Sequence, residues 1–369
     1  MIHLSNSSLR VQVPGKLMIA GEFAVLEPYH KLLAMAVNRF VTVEVDASHL
    51  NQITLEKFRL ENLPWHFNEN KVSIESTDKR VNFVQEAMTT AFIYLKENNI
   101  SLRHFRIHVR SDLDDKVSGK KFGLGSSAAV VVGVIKAILH WHLEKEPSPE
   151  LVFKLASISH VAAQGNGSGA DVAASAFGGI IQYSSFQAEW LRNQYNQSHS
   201  LMELLETDWK YLSISPIELP EDIHLCIGWT GSPASTGSLV DQIKGLKKTN
   251  FDKYQKFLEC SREAVDNILK GIYENNLPLL LNGIKQNRAA LVTVGKDANV
   301  ELETSMITKL CNLAERHGGA AKQSGAGGGD CGIAFMPTKE SADQLVVAWG
   351  NEGIIPLTIQ PYLNKSPKI

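Results

Sequence analysis

Cysteine, net charge and long apolar runs are all in short supply in this chain of 369 residues. Its four cysteines, Cys226, Cys260, Cys311 and Cys331, form no CxxC pair and have no histidine at zinc-ligand spacing. That excludes a zinc ribbon or a disulfide scaffold and predicts reduced thiols in a cytoplasmic protein. The 37 Lys and Arg nearly balance 39 Asp and Glu, for a formal net charge of -2. No basic face on the scale of a nucleic-acid backbone is available, so nucleic acid is excluded as a partner, while a local pocket for one small anion is not. The most apolar stretch, residues 128–139, is too short for a bilayer and contains Lys136, so it reads as a buried helix. The opening MIHLSNSSLR has no apolar segment of signal-peptide length, and no membrane partner is expected. The phosphate loop GxxxxGK[ST] is absent too.

What remains is an ordinary globular composition, 44% apolar and 21% charged, on a chain long enough for two domains. Residues 9–13 and 38–46 alternate as strands, and 103–110 alternates strictly, with Phe105, Ile107 and Val109 on one face. The histidines of its other face, His104 and His108, are expected to be solvated. Val81, Val84, Met88, Phe92 and Leu95 recur at helical spacing over 78–98. Apolar helices are predicted over 126–142 and after Pro149, and a strand over 178–186. The polar stretch 190–205 reads as a link between domains 1–200 and 201–369. Beyond it, 211–219 and 223–231 read as a hairpin, followed by helices over 236–318 broken near Asn250 and Leu277. A glycine-rich loop, a strand at 331–336, a helix at 339–350 and a strand at 354–360 close the chain. Strands and helices mixed without regular alternation point to an α+β fold.

Several segments stand out for chemistry. In PGKLMIAGEFAVL, residues 14–26, a strand is expected to end in a Pro-Gly turn beside Lys16. In KKFGLGSSAAVVV, residues 120–132, glycines precede a helix whose free N–H groups and positive dipole end suit a phosphate. Ser126 and Ser127 supply hydroxyls there for capping, phosphate or magnesium, and Lys120 and Lys121 stand on the approach. The spacing Gly123-x-Gly125-x-x-Ala128 also satisfies a relaxed dinucleotide fingerprint, but a polar loop separates it from the preceding strand, so a Rossmann assignment does not fit. In SGAGGGDCGIAFM, residues 324–336, four glycines crowd into 325–329, an entropic cost that suggests backbone folded around a ligand. Between these, Ser168 and Asp171 sit where a glycine-rich loop enters a helix of small residues, a place where capping alone also explains a carboxylate. Asp112, Asp114 and Asp115 read as a solvated acidic loop, and Lys247 and Lys248 as either a solvated helix end or a lure for an anion.

In this order, PGKLMIAGEFAVLEP, KKFGLGSSAAVVV, NGSGADVA, GWTGSPAS and SGAGGGDCGIA resemble the GHMP kinases over most of the chain. Within that superfamily they are most similar to the bacterial phosphomevalonate kinases; Lys120, Lys121 and Phe122 stand where mevalonate kinases typically carry a proline-glycine lead. The resemblance implies an N-terminal domain like domain 2 of ribosomal protein S5 and a C-terminal ferredoxin-like domain, with ATP and Mg2+ as cofactors. It implies that Gly123, Leu124, Gly125, Ser126, Ser127 and Ala128 hold the nucleotide, with Ser126 and Ser127 toward magnesium. It gives Lys16, Lys121 and Asp171 catalytic places. Acceptor contacts fall to Lys16, Ser168, Asp171, Ser235, Gln242, Lys244, Ser324, Gly325, Ala326 and Gly327. The implied partner is the small molecule phosphomevalonate, bound by a monomer or homodimer. An alcohol-phosphorylating relative, such as a mevalonate or homoserine kinase, and a non-catalytic metabolite-binding relative are the alternatives.

Overall fold

A computed structural model describes residues 8–115, 118–232 and 236–363. The first part comprises β1 (Ser8–Ala20), β2 (Lys31–Ala47), β3 (Gln52–Leu55), β4 (Leu60–Asn68), β5 (Lys71–Ile74), α1 (Asn82–Glu97), β6 (Phe105–Ser111), α2 (Ser126–Leu143), α3 (Pro149–Gln164), α4 (Ala170–Phe177), β7 (Ile180–Ser184), α5 (Ala188–Gln197), α6 (Leu201–Glu206) and β8 (Ser213–Ile217). The second comprises β9 (His224–Trp229), α7 (Thr236–Thr249), α8 (Phe251–Tyr273), α9 (Leu277–Asp297), α10 (Ser305–Arg316), β10 (Ala320–Gln323), β11 (Cys331–Met336), α11 (Lys339–Asn351) and β12 (Ile355–Leu357).

The fold is α+β. Its first sheet has the order β5-β4-β3-β6-β2-β7-β8, with β1 paired to β2 off that path. All its pairings are antiparallel except β3 with β6. The second sheet is antiparallel in the order β10-β11-β9-β12, the strand order of a ferredoxin-like β-α-β-β-α-β unit.

Helix α2 is the spine of the first part. It is long and apolar enough to cross a membrane by length and composition, yet its residues are mostly buried inside the protein. Gly133 lets it lie close on the β1–β2 hairpin, since a β-carbon there would come 3.0 Å from Val43. On α1, Val84, Met88, Phe92 and Leu95 are buried, as their spacing predicts, and Phe92 stacks on Trp65 at 5.3 Å between centroids. Each such aromatic burial stabilises the fold by roughly 2–3 kcal/mol.

Three expectations are corrected here. Residues 211–219 and 223–231 form no hairpin, because β8 pairs with β7 in the first sheet while β9 lies inside the second. The first sheet does not end within 190–205, which carries α5 and α6 with Leu191, Leu201 and Leu204 buried, but continues to β8. Nor does β1 end before Lys16. It continues through Pro14 and Gly15 to Ala20, with its register against β2 shifting between Pro14 and Gly15. Such a bulge accommodates a proline that has no N–H for the ladder. Since β8 carries the first sheet past residue 200, we propose that the domain boundary lies between β8 and β9.

His142 is buried near the end of α2. Its Nδ1–H donates to the Ile138 carbonyl at 2.8 Å and its Nε2 accepts from the Arg103 amide at 3.2 Å, so the ring is held neutral. Burial first, and the Arg103 charge after it, lower its pKa from 6.5 to about 4. The unfolded chain therefore takes up a proton in this window before the folded one does. Stability present above pH 6.5 is lost as the pH falls toward about 4, by up to about 1.4 kcal/mol per pH unit. Denaturant titrations of wild type and His142→Gln across this window should show a shallower acid limb in the variant. Equal limbs would contradict the assignment.

Candidate active site

β1 pairs with β2 along one edge only. Along the other, the Lys16 amide donates to the Leu124 carbonyl at 2.9 Å, and the Met18 amide donates to Ser324 Oγ at 2.8 Å. One strand edge thus receives both glycine-rich turns. Gly15 makes the first approach possible, because a β-carbon there would come 2.8 Å from the Leu124 carbonyl oxygen.

Lys16 is 9% exposed, and its ammonium donates to the Gly123 carbonyl at 3.1 Å. Among the described residues no carboxylate pairs with it. A cation so withdrawn from water, with donors to spare, is poised for an anion. Its stem packs over Gly125, where a β-carbon would come 2.9 Å from Lys16 Cγ. Gly123 and Gly125 hold φ values of 80° and 74°, which favour glycine.

Helix α2 starts at Ser126. Its N-cap is Gly125 and no side chain caps it, so the serine is not the simple cap its position permits. The first-turn N–H groups are left without a side-chain cap. Lys57, from the short helical turn after β3, reaches Ser126 Oγ at 3.4 Å and forms an ion pair with Asp114. Asp114 is therefore not freely solvated. Its side chain is 13% exposed, and Oδ1 is buried with no hydrogen-bond partner among the described residues. The backbone bridge between Asp114 and Lys121 folds the acidic loop back onto the turn.

The second glycine turn leans on the first. The Cys331 thiol donates to the Phe122 carbonyl at 3.1 Å, and Phe122 packs edge-on to Trp229 at 5.0 Å. A β-carbon on Gly123 would come 2.7 Å from the Asp330 carboxylate. Burial, with Asp330 adding to it, pushes the Cys331 thiol far up, so it stays neutral and serves as a donor. Cys226, Cys311 and Cys331 are buried free thiols and Cys260 is exposed.

The two turns thus meet the same strand at Lys16 and Met18, and we propose that Lys16, Gly123, Leu124, Gly125, Ser126, Ser127, Ala128, Ser324, Gly325, Ala326 and Gly327 line or back one groove between the sheets. Ser168 and Asp171 lie on the loop and first turn leading into α4. That helix is pinned to β1 by Ser175 Oγ, which donates to the Pro14 carbonyl at 2.8 Å, and Asp171 lies one turn before Ser175 on the same face. Asp171 does not cap α4; its Oδ1 accepts from the neighbouring Val172 amide at 3.0 Å. The preceding loop is held by the buried Tyr183 hydroxyl, which donates to the Ser168 carbonyl at 2.6 Å. Lys121 is exposed at the rim. Gln242 and Lys244 lie exposed on α7, and the Gln242 amide donates to Ser238 of its own helix. No hydrogen bond among the described residues ties either to the groove. Ser235 lies outside the described residues. Lys247 is exposed at the end of α7 and pairs with Glu27, which also accepts from Tyr254. Glu22, Lys57 and Lys322 at this site escaped sequence reasoning. For Lys322 the one signal was a lone charge in an apolar strand just before the glycine turn.

The chain matches the GHMP kinases N terminal domain over residues 82–179 and the GHMP kinases C terminal domain over 268–355. It is 30% identical over 363 residues to a phosphomevalonate kinase of a Streptomyces species, covering 95% of this chain and 96% of that one. A solved Listeria innocua protein is 38% identical, with a TM-score of 0.90, over 96% of this chain and 97% of its own. A Streptococcus pneumoniae phosphomevalonate kinase, solved in complex with phosphomevalonate and AMPPNP, is 27% identical, with a TM-score of 0.84, over 96% and 99%.

The close approach of Lys16 to Gly125 gives a test. Gly125→Ala forces a β-carbon into the Lys16 stem and strains a left-handed backbone, by about 1–3 kcal/mol. Nucleotide affinity measured by titration calorimetry should fall roughly tenfold or more. Affinity within about twofold of wild type would contradict the packing described.

Proposed function

The chain belongs to the GHMP kinases, and from that premise we propose that it is a phosphomevalonate kinase. It transfers the γ-phosphoryl group of ATP to the phosphate of phosphomevalonate, giving mevalonate diphosphate and ADP, in the cytoplasm. The observation that carries this is Lys16, a nearly buried ammonium with no carboxylate partner among the described residues, set where two glycine-rich turns meet.

The acceptor decides what the protein must supply. A phosphate monoester loses its second proton near a pKa of about 6, so at neutral pH the nucleophilic oxygen is already ionised and no general base is needed. The difficulty is repulsion. Two unit charges about 4 Å apart interact by roughly 4 kcal/mol at an effective dielectric near 20, and several charges meet here. Catalysis then rests on holding both anions in line and neutralising charge as it shifts. Lys16 sits between the two turns and takes charge from both sides. The uncapped start of α2, with Ser126 and Ser127, receives the nucleotide phosphates, and Lys57 stands beside them. Lys121 adds a more solvated charge at the rim. Asp171 orients cationic groups rather than accepting a proton.

Magnesium fits this site in one form. Among the described residues no cluster of three or more His, Cys, Asp or Glu could hold a metal. Ser126 Oγ and the Asp114 carboxylate are hard oxygen donors beside the α2 N-terminus, the sparse set magnesium uses when phosphates complete its shell. When bound, the ion supplies charge neutralisation on the phosphate oxygens.

A coupled assay of ADP release with phosphomevalonate, mevalonate and homoserine tests the proposal. Phosphomevalonate should be the preferred acceptor; preference for an alcohol substrate, or binding without ADP release, would overturn it. In the same assay Lys16→Met should lose about 100-fold or more in kcat, whereas Lys121→Met, being solvent-screened, should lose about tenfold. Asp171→Asn should keep the acid limb of the pH–rate profile. Loss of that limb would make Asp171 a base.

A further inference from the structure

A second lysine sits behind the groove in the opposite electrostatic state. Lys322, on β10, is 0% exposed and paired with Glu22, which is 4% exposed in the turn that follows β1. The same ammonium donates to the Gln323 carbonyl at 2.6 Å. The Glu22 oxygen that takes Lys322 also accepts the Gly325 amide at 3.2 Å, and its other oxygen is buried with no hydrogen-bond partner among the described residues. One residue earlier, Ser324 Oγ accepts from the Met18 amide at 2.8 Å and donates to the Met18 carbonyl at 3.0 Å. The start of the second turn is therefore fastened to the strand that carries Lys16, by groups belonging to different sheets. Farther along the turn the Gly328 amide donates to the Leu302 carbonyl at 2.7 Å, whereas a β-carbon on Gly325 would meet nothing within 4 Å.

A buried ion pair is a poor way to gain stability, because stripping both charges of water offsets their attraction, but it fixes geometry well. We propose that Glu22 and Lys322 are positioning residues that register the 325–329 turn against Lys16 and so set the acceptor half of the groove. This rests on the function proposed above. Glu22 does its work through the Gly325 amide, and Lys322 keeps that carboxylate charged and in place. Neither touches the transferring phosphate.

The test uses the full chain and the double variant Glu22→Leu with Lys322→Met, which removes both charges together. Either single change strands a buried charge and strongly destabilises the fold; replacing a buried pair by apolar groups is commonly tolerated. The double variant should keep a melting temperature near wild type, yet raise the KM for phosphomevalonate roughly tenfold with the KM for ATP within about threefold. Amide exchange by mass spectrometry over residues 323–330 should quicken roughly tenfold. A double variant with both the acceptor KM and this exchange within about twofold of wild type overturns the proposal. If wild type releases no ADP with phosphomevalonate, the substrate assignment fails by itself, and the exchange measurement still decides the positioning role.

Discussion

The uncovered edge of β1 is the constraint on which the rest depends. A strand paired on one side offers its remaining N–H groups at a regular spacing, and here two of them, on Lys16 and Met18, are taken by the two glycine-rich turns. Because residues two apart on a strand share an edge, both turns arrive side by side and Lys16 is held at their junction. Gly15, Gly123 and Gly125 are what this crowding requires. Each stands where a β-carbon would run into backbone, a carboxylate or the lysine itself.

Two lysines then divide the electrostatic labour. Lys322 is fully buried with a carboxylate against it, which makes it structural; Lys16 is nearly as buried and, among the described residues, its ammonium meets a carbonyl and no carboxylate. Desolvation strengthens whatever charge interaction Lys16 makes, and an uncompensated cation in such a place favours phosphate over water. The uncapped start of α2 adds partial positive charge from its free amides without adding side chains. The groove therefore combines one concentrated cation with diffuse backbone dipoles, an arrangement suited to two anions that repel each other.

Much of this was legible in the sequence where the signal is local. The helical spacing of Val84, Met88, Phe92 and Leu95 located α1, the run of small and apolar residues after Gly125 located α2, and the crowding of glycines marked both turns. What was not legible depends on partners distant in the chain. Nothing near Lys322 reveals that its counter-charge is Glu22, 300 residues away in sequence. Lys57 looked like any surface lysine until the fold brought it to Ser126 and Asp114. The strand pair expected at 211–231 failed for the same reason, since β8 and β9 are adjacent in sequence but find their partners in different sheets. The Pro-Gly step reads as a turn because proline rarely continues a strand; a bulge lets it do so here.

The central claim is that Lys16 lets two repelling anions occupy the groove together, and its most direct test is thermodynamic coupling. Titration calorimetry would measure phosphomevalonate affinity with and without saturating non-hydrolysable ATP analogue, in wild type and in Lys16→Met. In wild type the analogue should leave acceptor affinity within about threefold, and in the variant it should weaken that affinity at least about tenfold, a coupling of roughly 1.4 kcal/mol. Equal coupling in the two proteins would mean that Lys16 does not hold the anions together.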